Sequence, residues 1–297
     1  MKVINISIEK GGDGKTTTAL NLAVGLGMKG LRVLLGEMDP QGNLTKHVLR
    51  VAEEMKEETF TKIKSEFDSL ESNGIDSITA ALQSLDKYTL EDSYSNDMSS
   101  VLNEPTVIRD AIYETPFENV SIIPGTHNLS ESDMKLKSAV INSTGRLRQA
   151  LNLVEDEYDV CIIDNPPFTN ALTYNSVNAC ANEGDLVIIP FKVCAGSFQG
   201  LSITIKDLIK WLTYAPLKYD FKILPVMVER TRIHKKAVET IRHLFKERVF
   251  HQSIRLQGNP VTKASLERNA LVHSERSNVA KDYISFVDEV YDYLEGR

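Results

Sequence analysis

The fold of this chain is decided close to its start by one stretch, Lys10-Gly11-Gly12-Asp13-Gly14-Lys15-Thr16-Thr17. An alternating apolar run, residues 3–8, precedes the stretch and predicts a strand, while residues 18–26 follow it with the pattern of a helix. A strand, a glycine loop, Lys-Thr and a helix form the context that a phosphate-binding P-loop requires. We therefore expect Lys15 to reach the β- and γ-phosphates of a nucleotide and the Thr16 hydroxyl to hold Mg²⁺.

Composition places the 297-residue chain among globular proteins with a substantial core. No run approaches the roughly 20 apolar residues of a membrane span. The three cysteines are odd in number and widely separated, which excludes a disulfide framework and a C-x-x-C metal site. The strand at the very start leaves no room for a leader segment, so we expect a cytoplasmic protein.

The charge is distributed unevenly along the chain. The net charge is −7, yet residues 200–281 contain 16 Lys and Arg against 7 Asp and Glu, a local balance of +9. The remainder therefore carries −16. A basic region on an otherwise acidic protein predicts one surface that faces an anion, and DNA phosphates are the anions that such a surface binds without base recognition.

Two carboxylates follow predicted buried strands. Residues 31–37 read as a strand that leads to Asp39, and residues 158–164 read as a strand that ends in Asp164. In a parallel sheet the carboxyl ends of the strands face the ligand, so both side chains are expected near the phosphates. An apolar strand ending in Asp is the Walker B pattern, in which the carboxylate supports Mg²⁺.

Predicted strands and helices alternate along most of the chain. This order predicts an α/β fold of the P-loop NTPase type, with a mostly parallel sheet and helices on both faces. We interpret residues 1–297 as a single domain that carries a mostly helical insertion at about 46–104. The insertion is charged and is interpreted as a solvated appendage at the ligand edge of the sheet.

At this point the motifs resemble those of a known family. Lys10 lies five residues before Lys15, which is similar to the deviant Walker A motif of ParA/MinD-type ATPases. Residues 39–43 (Asp-Pro-Gln-Gly-Asn), residues 162–167 (Ile-Ile-Asp-Asn-Pro-Pro) and Arg230-Thr231 resemble further motifs of that family, in the same order. The combination looks most like ParA-type partition ATPases, and among these the small form of Gram-positive plasmids.

The resemblance implies an ATP-dependent DNA partition ATPase that uses ATP and Mg²⁺. ATP would close a nucleotide-sandwich homodimer that binds DNA without sequence preference, and a centromere-binding ParB-type adaptor would stimulate the hydrolysis that releases it. Lys10 would reach the partner subunit's phosphates, and Asp39 would orient the attacking water. The protein would associate with the nucleoid and not with a membrane.

The implied residues form four groups. The catalytic group is Lys10, Lys15 and Asp39. The nucleotide-binding group is Lys10, Gly11, Gly12, Asp13, Gly14, Lys15, Thr16, Thr17, Met227 and Arg230. The metal group is Thr16, Asp39 and Asp164. The DNA-binding group is Arg230, Arg232, Lys235, Lys236, Arg255, Lys263 and Arg268.

Three residues depart from the family pattern. Asp13 stands where a small apolar residue is usual, Glu9 replaces a common Gln, and Glu37 replaces a common Asp. Each keeps or adds negative charge near the site, which predicts weaker nucleotide binding or dimerisation because like charges repel.

Two alternative functions stay open at this stage. A MinD-like positioning ATPase needs a basic amphipathic C-terminal helix, whereas the tail at residues 282–290 is acidic on its polar side. An ATP-binding switch with little turnover is the other alternative. Asp39 argues against it, and the acidic departures around the loop leave it open.

Overall fold

The computed structural model describes residues 1–8, 11–49, 57–86, 94–138, 144–167, 169–214, 217–273 and 276–296. Within these ranges the strands are β1 (Lys2–Ile6), β2 (Val33–Glu37), β3 (Tyr113–Glu114), β4 (Val120–Ile123), β5 (Val160–Asp164), β6 (Leu186–Lys192) and β7 (Asp220–Val226). The helices are α1 (Lys15–Met28), α2 (Asn43–Leu49), α3 (Glu57–Ser72), α4 (Ser77–Asp86), α5 (Met98–Asn103), α6 (Asn128–Ser138), α7 (Arg146–Asn152), α8 (Ala171–Ala179), α9 (Ser197–Tyr214), α10 (Arg232–Phe245), α11 (Gly258–Leu266) and α12 (Asn278–Leu294). Short 3₁₀ turns occupy Pro105–Ala111, Lys246–Arg248 and Leu271–His273.

The seven strands form one sheet in the order β3-β4-β2-β5-β1-β6-β7. All neighbouring pairs are parallel except β3 with β4, which is antiparallel. The predicted mostly parallel α/β sheet is therefore confirmed. β5 lies between β2 and β1, so Asp164 pairs in register with Glu37 on one side and Ile6 on the other.

Alternation along the strands divides the core into two apolar layers. In β1, Val3 faces one layer, while Ile4 and Ile6 face the other. The first layer packs mainly under helices α5 to α9, and the second packs under α1 and α12. Both faces of the sheet are covered, which explains why its strands are almost continuously apolar.

Helix α12 belongs to this core. Phe286, Val287 and Val290 are fully buried or nearly so, and the Phe286 ring meets Phe250 edge to face at 5.0 Å. Val287 lies so close to Gly25 of α1 that a Cβ at that glycine would approach its side chain to 2.5 Å. The apolar side of the tail is thus already used in packing, as expected for a core helix and unlike a membrane-surface helix.

Several elements differ from their sequence expectations. Helices α2, α6, α8 and α11 were not predicted, because their apolar residues are few and their starts follow loops. The sequence of residues 105–113 predicts one helix, whereas the structure has a 3₁₀ turn at Pro105–Ala111 and then β3 at the sheet edge. The sequence also predicts a helix at about 234–248. The observed helix starts at Arg232 and ends at Phe245, because the backbone turns to a φ of 49° at Lys246.

The insertion at about 46–104 contains the C-terminal part of α2 and then the whole of α3, α4 and α5. Helices α3 and α4 form a hairpin through a turn in which Gly74 has a φ of 84°. The polar, Ser-rich sequence of residues 90–100 predicts a loop. Part of it lies outside the described residues, and from Met98 the chain forms α5. The assignment of the whole chain to one domain stays a prediction.

Candidate nucleotide site

The glycine loop runs between β1 and α1 at the carboxyl edge of the sheet. Gly12 and Gly14 have φ values of 77° and 76°, in the left-handed region that favours glycine. Gly14 is the N-cap of α1 and offers no side-chain acceptor, so the first N–H groups of the helix have no cap from this residue. Such backbone donors at a helix start form an anion site. Glu9 and Lys10 lie outside the described residues.

Lys15 begins α1 and is only 7% exposed. Its burial lowers the pKa of the ammonium group, and the nearby carboxylates of Asp164, Asp39 and Asp13 act in the opposite direction. A buried cation surrounded by carboxylates at a helix start is well placed to attract a phosphate.

Asp164 ends β5 and is completely buried. Burial raises the pKa of its carboxyl group to about 7, although the Thr16 hydroxyl and Lys15 pull in the opposite direction. Neither carboxylate oxygen meets the geometry of a hydrogen bond with any described residue. Because buried carboxylates are normally paired, two unsatisfied oxygens beside the Thr16 hydroxyl form a donor set that suits Mg²⁺.

Asp39 lies in the loop after β2 and is half-buried. The N–H of Met38, one residue earlier, donates to the Asp164 carbonyl oxygen at 2.8 Å, which holds this loop against the end of β5. One carboxylate oxygen of Asp39 accepts the Gln41 N–H at 3.0 Å. The sequence predicts that Asp39 and Asp164 lie near the bound phosphates. The structure brings both carboxylates close to Lys15, and their roles stay predictions.

Glu37 has a role that the sequence did not reveal. Its carboxylate accepts the backbone N–H groups of Leu44 and Thr45 at 2.9 and 2.7 Å, and it also accepts the Thr45 hydroxyl. The Thr45 hydroxyl oxygen accepts the Gly125 N–H at 2.9 Å. Glu37 therefore joins the start of α2 to the loop after β4. Glu37 lies seven residues before Leu44, too far away to be recognised in the sequence as a cap of α2. The sequence therefore gives no sign of this role.

Burial, followed by the neighbouring Asp164, raises the pKa of Glu37 to about 8. At neutral pH this group is therefore mostly protonated. The expected addition of negative charge by Glu37 is accordingly small. Asp13 is also buried, at 2% exposed, and its charge acts on Lys15.

The remaining nucleotide-side predictions concern Met227 and Arg230. A Cβ added at Gly14 would meet the Met227 methyl at 3.5 Å, so Met227 lies against the glycine loop. Its φ of 51° is unusual for a non-glycine residue and changes the direction of the backbone after β7. Arg230 lies three residues later and is exposed.

The sequence model of the family described as "AAA domain" matches residues 1–223. The chain belongs to this family. The resemblance to ParA/MinD-type P-loop ATPases is confirmed by two further relatives that align over nearly the whole chain.

The first relative is the sporulation initiation inhibitor protein Soj of Bacillus subtilis, 27% identical, with 97% of this chain and 98% of that protein covered. The second is the chromosome partitioning protein ParA of Myxococcus xanthus, 29% identical, with 97% of this chain and 87% of that protein covered. A solved McdA variant from Cyanothece in complex with ATP has the same fold, with a TM-score of 0.74 at 20% identity over 98% of this chain and 96% of that one.

The residues predicted to bind DNA separate into two sets in this AAA-domain chain. The first set lies at the start of α10, where Arg230, Arg232 and Lys235 line an open groove of about 500 Å³ together with Arg242. Lys236 is exposed on the same helix. Two acidic residues, Glu229 and Glu239, also line the groove, so its charged lining is four cations against two anions.

The second set makes contacts within the protein. The Arg255 guanidinium donates twice to the Asp282 carboxylate, at 2.6 and 2.7 Å, and its backbone N–H donates to the same group at 3.0 Å. Asp282 is 4% exposed, so this pair fastens α12 to the strand-like segment that bridges to Val228. Arg268 donates to the Lys46 carbonyl oxygen at 2.9 Å, and Lys263 lies 3.6 Å from Glu267 on the surface of α11.

Sequence reasoning also missed a buried polar link beside Asp164. The Asn165 side-chain amide donates to the Asn5 side chain at 3.2 Å and to the Ile6 backbone carbonyl oxygen at 3.0 Å, while the Ser176 hydroxyl of α8 donates to the side-chain oxygen of Asn165 at 2.5 Å. The link connects the carboxyl end of β5 to α8. Asn before two prolines indicates only a turn, and the partners lie 160 and 11 residues away in the chain.

Proposed function

We propose that this chain is an ATP-driven partition ATPase whose nucleotide-closed homodimer binds DNA without sequence preference. The observation that carries the proposal is the fully buried Asp164 with two unsatisfied oxygens, set beside the buried Lys15 and a glycine loop. ATP and Mg²⁺ are the cofactors for which this donor set is suited. The relatives named as chromosome partitioning and Soj proteins support partition as the cellular role.

Each residue of the site has a distinct task in this proposal. The loop N–H groups and Lys15 hold the phosphates, while Thr16 and Asp164 hold the metal ion, with Asp39 near it. Mg²⁺ would neutralise charge that develops on the phosphates. Asp39 orients a water molecule, because its carboxylate is half-buried and held by its own loop. Met227 and Arg230 border the nucleotide from the chain after β7.

The dimer is the second part of the proposal. Lys10 of each subunit serves the partner's phosphates, so that two cations from two chains offset one triphosphate. A C₂ pair of this kind is self-complementary, and each site is complete only when the second subunit is present. The motif position of Lys10 supports this role.

Replacing Lys10 with alanine is expected to abolish the ATP–Mg²⁺-dependent dimer and to leave nucleotide binding within about threefold of the original, because Lys15 and the loop N–H groups remain. Light scattering would give the mass with and without ATP–Mg²⁺, and titration with a fluorescent ATP analogue would give the affinity. The exposed Lys135→Ala in α6 is the control. A Lys10→Ala variant that still doubles its mass with ATP–Mg²⁺ would contradict the role in trans.

The DNA surface is the third part, and the groove at the start of α10 supports it best. Arg230, Arg232 and Lys235 are exposed and lie together at the start of α10. Arg242 near the other end of the helix, Arg255 and Arg268 already donate to oxygen atoms of the protein. Phosphate contacts by such cations bring affinity without base specificity. A ParB-type adaptor that stimulates hydrolysis, and association with the nucleoid, complete the cycle.

Reversing two groove charges, Arg232→Glu with Lys235→Glu, is expected to weaken DNA binding at least about tenfold and to reduce the salt dependence of log K by about 2. Both positions are exposed, so the free energy of unfolding and the affinity for nucleotide are expected to stay unchanged. A filter-binding series at several salt concentrations with ATP–Mg²⁺ measures both quantities.

The matched control for this test is Lys135→Glu, an exposed charge reversal on α6. If the double variant and the control retain equal amounts of DNA, the groove is not the DNA-binding surface. Arg255→Glu is unsuitable as a DNA test, because it places a second carboxylate against the buried Asp282.

The whole proposal is tested by one paired measurement on the unmodified chain. Mass and DNA retention are recorded on the same sample with and without ATP–Mg²⁺, and phosphate release is followed over time. A monomer without nucleotide and a DNA-binding dimer with it are expected. A constitutive dimer with nucleotide-independent DNA affinity contradicts the switch, and absent phosphate release would leave an ATP-binding switch with little turnover.

A membrane-positioning ATPase would need an amphipathic helix whose apolar face is free to meet lipid. Among the described residues, no helix has the length and apolar character needed to cross a bilayer. In α12, Phe286, Val287 and Val290 are buried in the core, which leaves little of that face for a lipid surface.

A further inference from the structure

The helical hairpin α3–α4 presents an apolar stripe that nothing in the nucleotide site uses. Ile78, Leu82 and Leu85 of α4 are 75%, 56% and 49% exposed. Their spacing of i, i+4 and i+7 puts all three on one face of the helix. On the opposite side, the small residues Ala80 and Ser84 are buried. The helix therefore turns its large apolar side chains away from its own neighbours.

The hairpin itself is well built, so the exposure belongs to an ordered element. The Asp76 carboxylate accepts the N–H groups of Ile78 and Thr79 at the start of α4. The Ile75 N–H closes the end of α3 by donating to the Leu70 carbonyl oxygen at 3.2 Å. Ser77 of α4 donates to Glu71 of α3 at 2.5 Å.

The hairpin stands apart from the core of the fold. Helices α3 and α4 pack mainly on each other, and the described residues of the two helices contribute nothing to either apolar layer of the sheet. Phe60 of α3 is 45% exposed as well. The three large apolar side chains that share one exposed face of α4 form the kind of patch that marks a protein-interaction site.

Charge decides what covers the stripe. Residues 57–86 contain seven acidic and two basic residues, a net charge of −5. If the same hairpin of another copy of this chain covered the stripe, two hairpins with a net charge of −5 each would face one another. Like charges across an interface oppose association. A partner surface with an apolar stripe bordered by cations would complement both the apolar face and the negative charge of the hairpin.

We propose that the α3–α4 hairpin is a docking site for a cationic amphipathic helix of a partner protein. The partner helix places its apolar residues on Ile78, Leu82 and Leu85, while its Lys and Arg residues face the acidic side chains of the hairpin. This inference goes beyond the proposed function and does not depend on ATP or DNA binding, because none of the hairpin residues belongs to those sites.

The test uses the full chain. The probe is a fluorescein-labelled 18-residue model helix of leucine and lysine, and the control peptide is a helix of the same pattern in which glutamate replaces lysine. Fluorescence anisotropy is expected to show saturable binding of the lysine helix only. The double variant Ile78→Gln, Leu82→Gln should bind it at least about tenfold more weakly. Glutamine keeps helix propensity, so urea unfolding stays unchanged.

A matched double control removes two equally exposed apolar side chains elsewhere, Met134→Gln in α6 and Ile233→Gln in α10, which are 64% and 74% exposed. It should bind the lysine helix like the unmodified chain. Three results would overturn the proposal: equal binding by the hairpin variant, equal binding of the glutamate helix, or a nucleotide-independent dimer of the unmodified chain that the hairpin variant loses. The last result would assign the stripe to a second copy of the chain.

Discussion

Replacing Lys15 with alanine is expected to lower nucleotide affinity and ATP hydrolysis by at least about a hundredfold each. Lys15 is buried at the start of α1, and burial alone lowers its pKa. The charges of Asp164, Asp39 and Asp13 act on the Lys15 ammonium group, so the substitution leaves these carboxylates without their nearby cation. Their negative charge would then act directly on an incoming triphosphate, which adds repulsion to the lost attraction.

The measurements are titration with a fluorescent ATP analogue and phosphate release under saturating nucleotide. Lys29→Ala is the control, because Lys29 follows the end of the same helix and pairs with Asp288 on the surface. Lys15→Arg separates charge from shape: a cation that cannot fit the buried position should restore little activity. Hydrolysis by Lys15→Ala within about threefold of the original rate would contradict the assignment of this P-loop.

Replacing Asp164 with asparagine is expected to have two effects of opposite sign. Hydrolysis and Mg²⁺-dependent nucleotide affinity should fall about a hundredfold or more, because an amide is a much weaker metal ligand than a carboxylate. The free energy of unfolding without nucleotide should rise, because the substitution removes a buried charge whose oxygens have no hydrogen bond among the described residues. Loss of function together with gain of stability is characteristic of a site residue.

The pH dependence of the stability effect follows from the pKa of Asp164. The carboxyl group titrates at about 7 in the folded chain, against an ordinary value of 3.8. Between these values the native state holds a proton that the unfolded state has lost, so stability decreases as pH rises and the full cost is present above about pH 7. A shift of about three units is about 4 kcal/mol, and burial of the polar asparagine amide costs part of it, so a gain of roughly 2 kcal/mol is expected at about pH 8.

Urea unfolding with EDTA and without nucleotide, at about pH 8 and about pH 5, measures this difference. The gain should shrink at the lower pH, where Asp164 is already protonated. Asp159→Asn is the control of opposite sign, because Arg32 holds the pKa of Asp159 below its usual range. If Asp164→Asn is less stable than the original chain at the higher pH, the carboxylate has a structural partner and the metal assignment is wrong.

Much of the fold could be predicted because its signals are local. The apolar runs of β1, β2 and β5 and the helix after the glycine loop are recognised within a few residues. The short helices α2, α6, α8 and α11 are not, since they are stabilised in part by contacts with distant residues. Helix α8, for example, begins where the Ala171 N–H donates to Asp133 of α6 at 2.9 Å, and these two residues lie 38 positions apart.

The candidate site was predicted to a similar extent. Lys15, Thr16, Asp39 and Asp164 were identified from motif spacing, and the structure brings them to one edge of the sheet. Glu37 was interpreted only as an added charge, because its burial beside Asp164 depends on the pairing of β2 with β5. The cation count between residues 200 and 281 gave no indication that Arg255 binds Asp282 while the groove residues of α10 stay exposed.

The sequence by itself determined the glycine loop, its two flanking elements and the carboxylates at the strand ends. Backbone freedom, strand periodicity and strand ends are properties of neighbouring residues, so they can be recognised in the chain alone. Only the tertiary structure decided which charges are buried, which cations are already paired and which apolar stripe on α4 faces solvent. Burial and pairing depend on groups that lie far apart in the chain, and the fold alone brings those groups together.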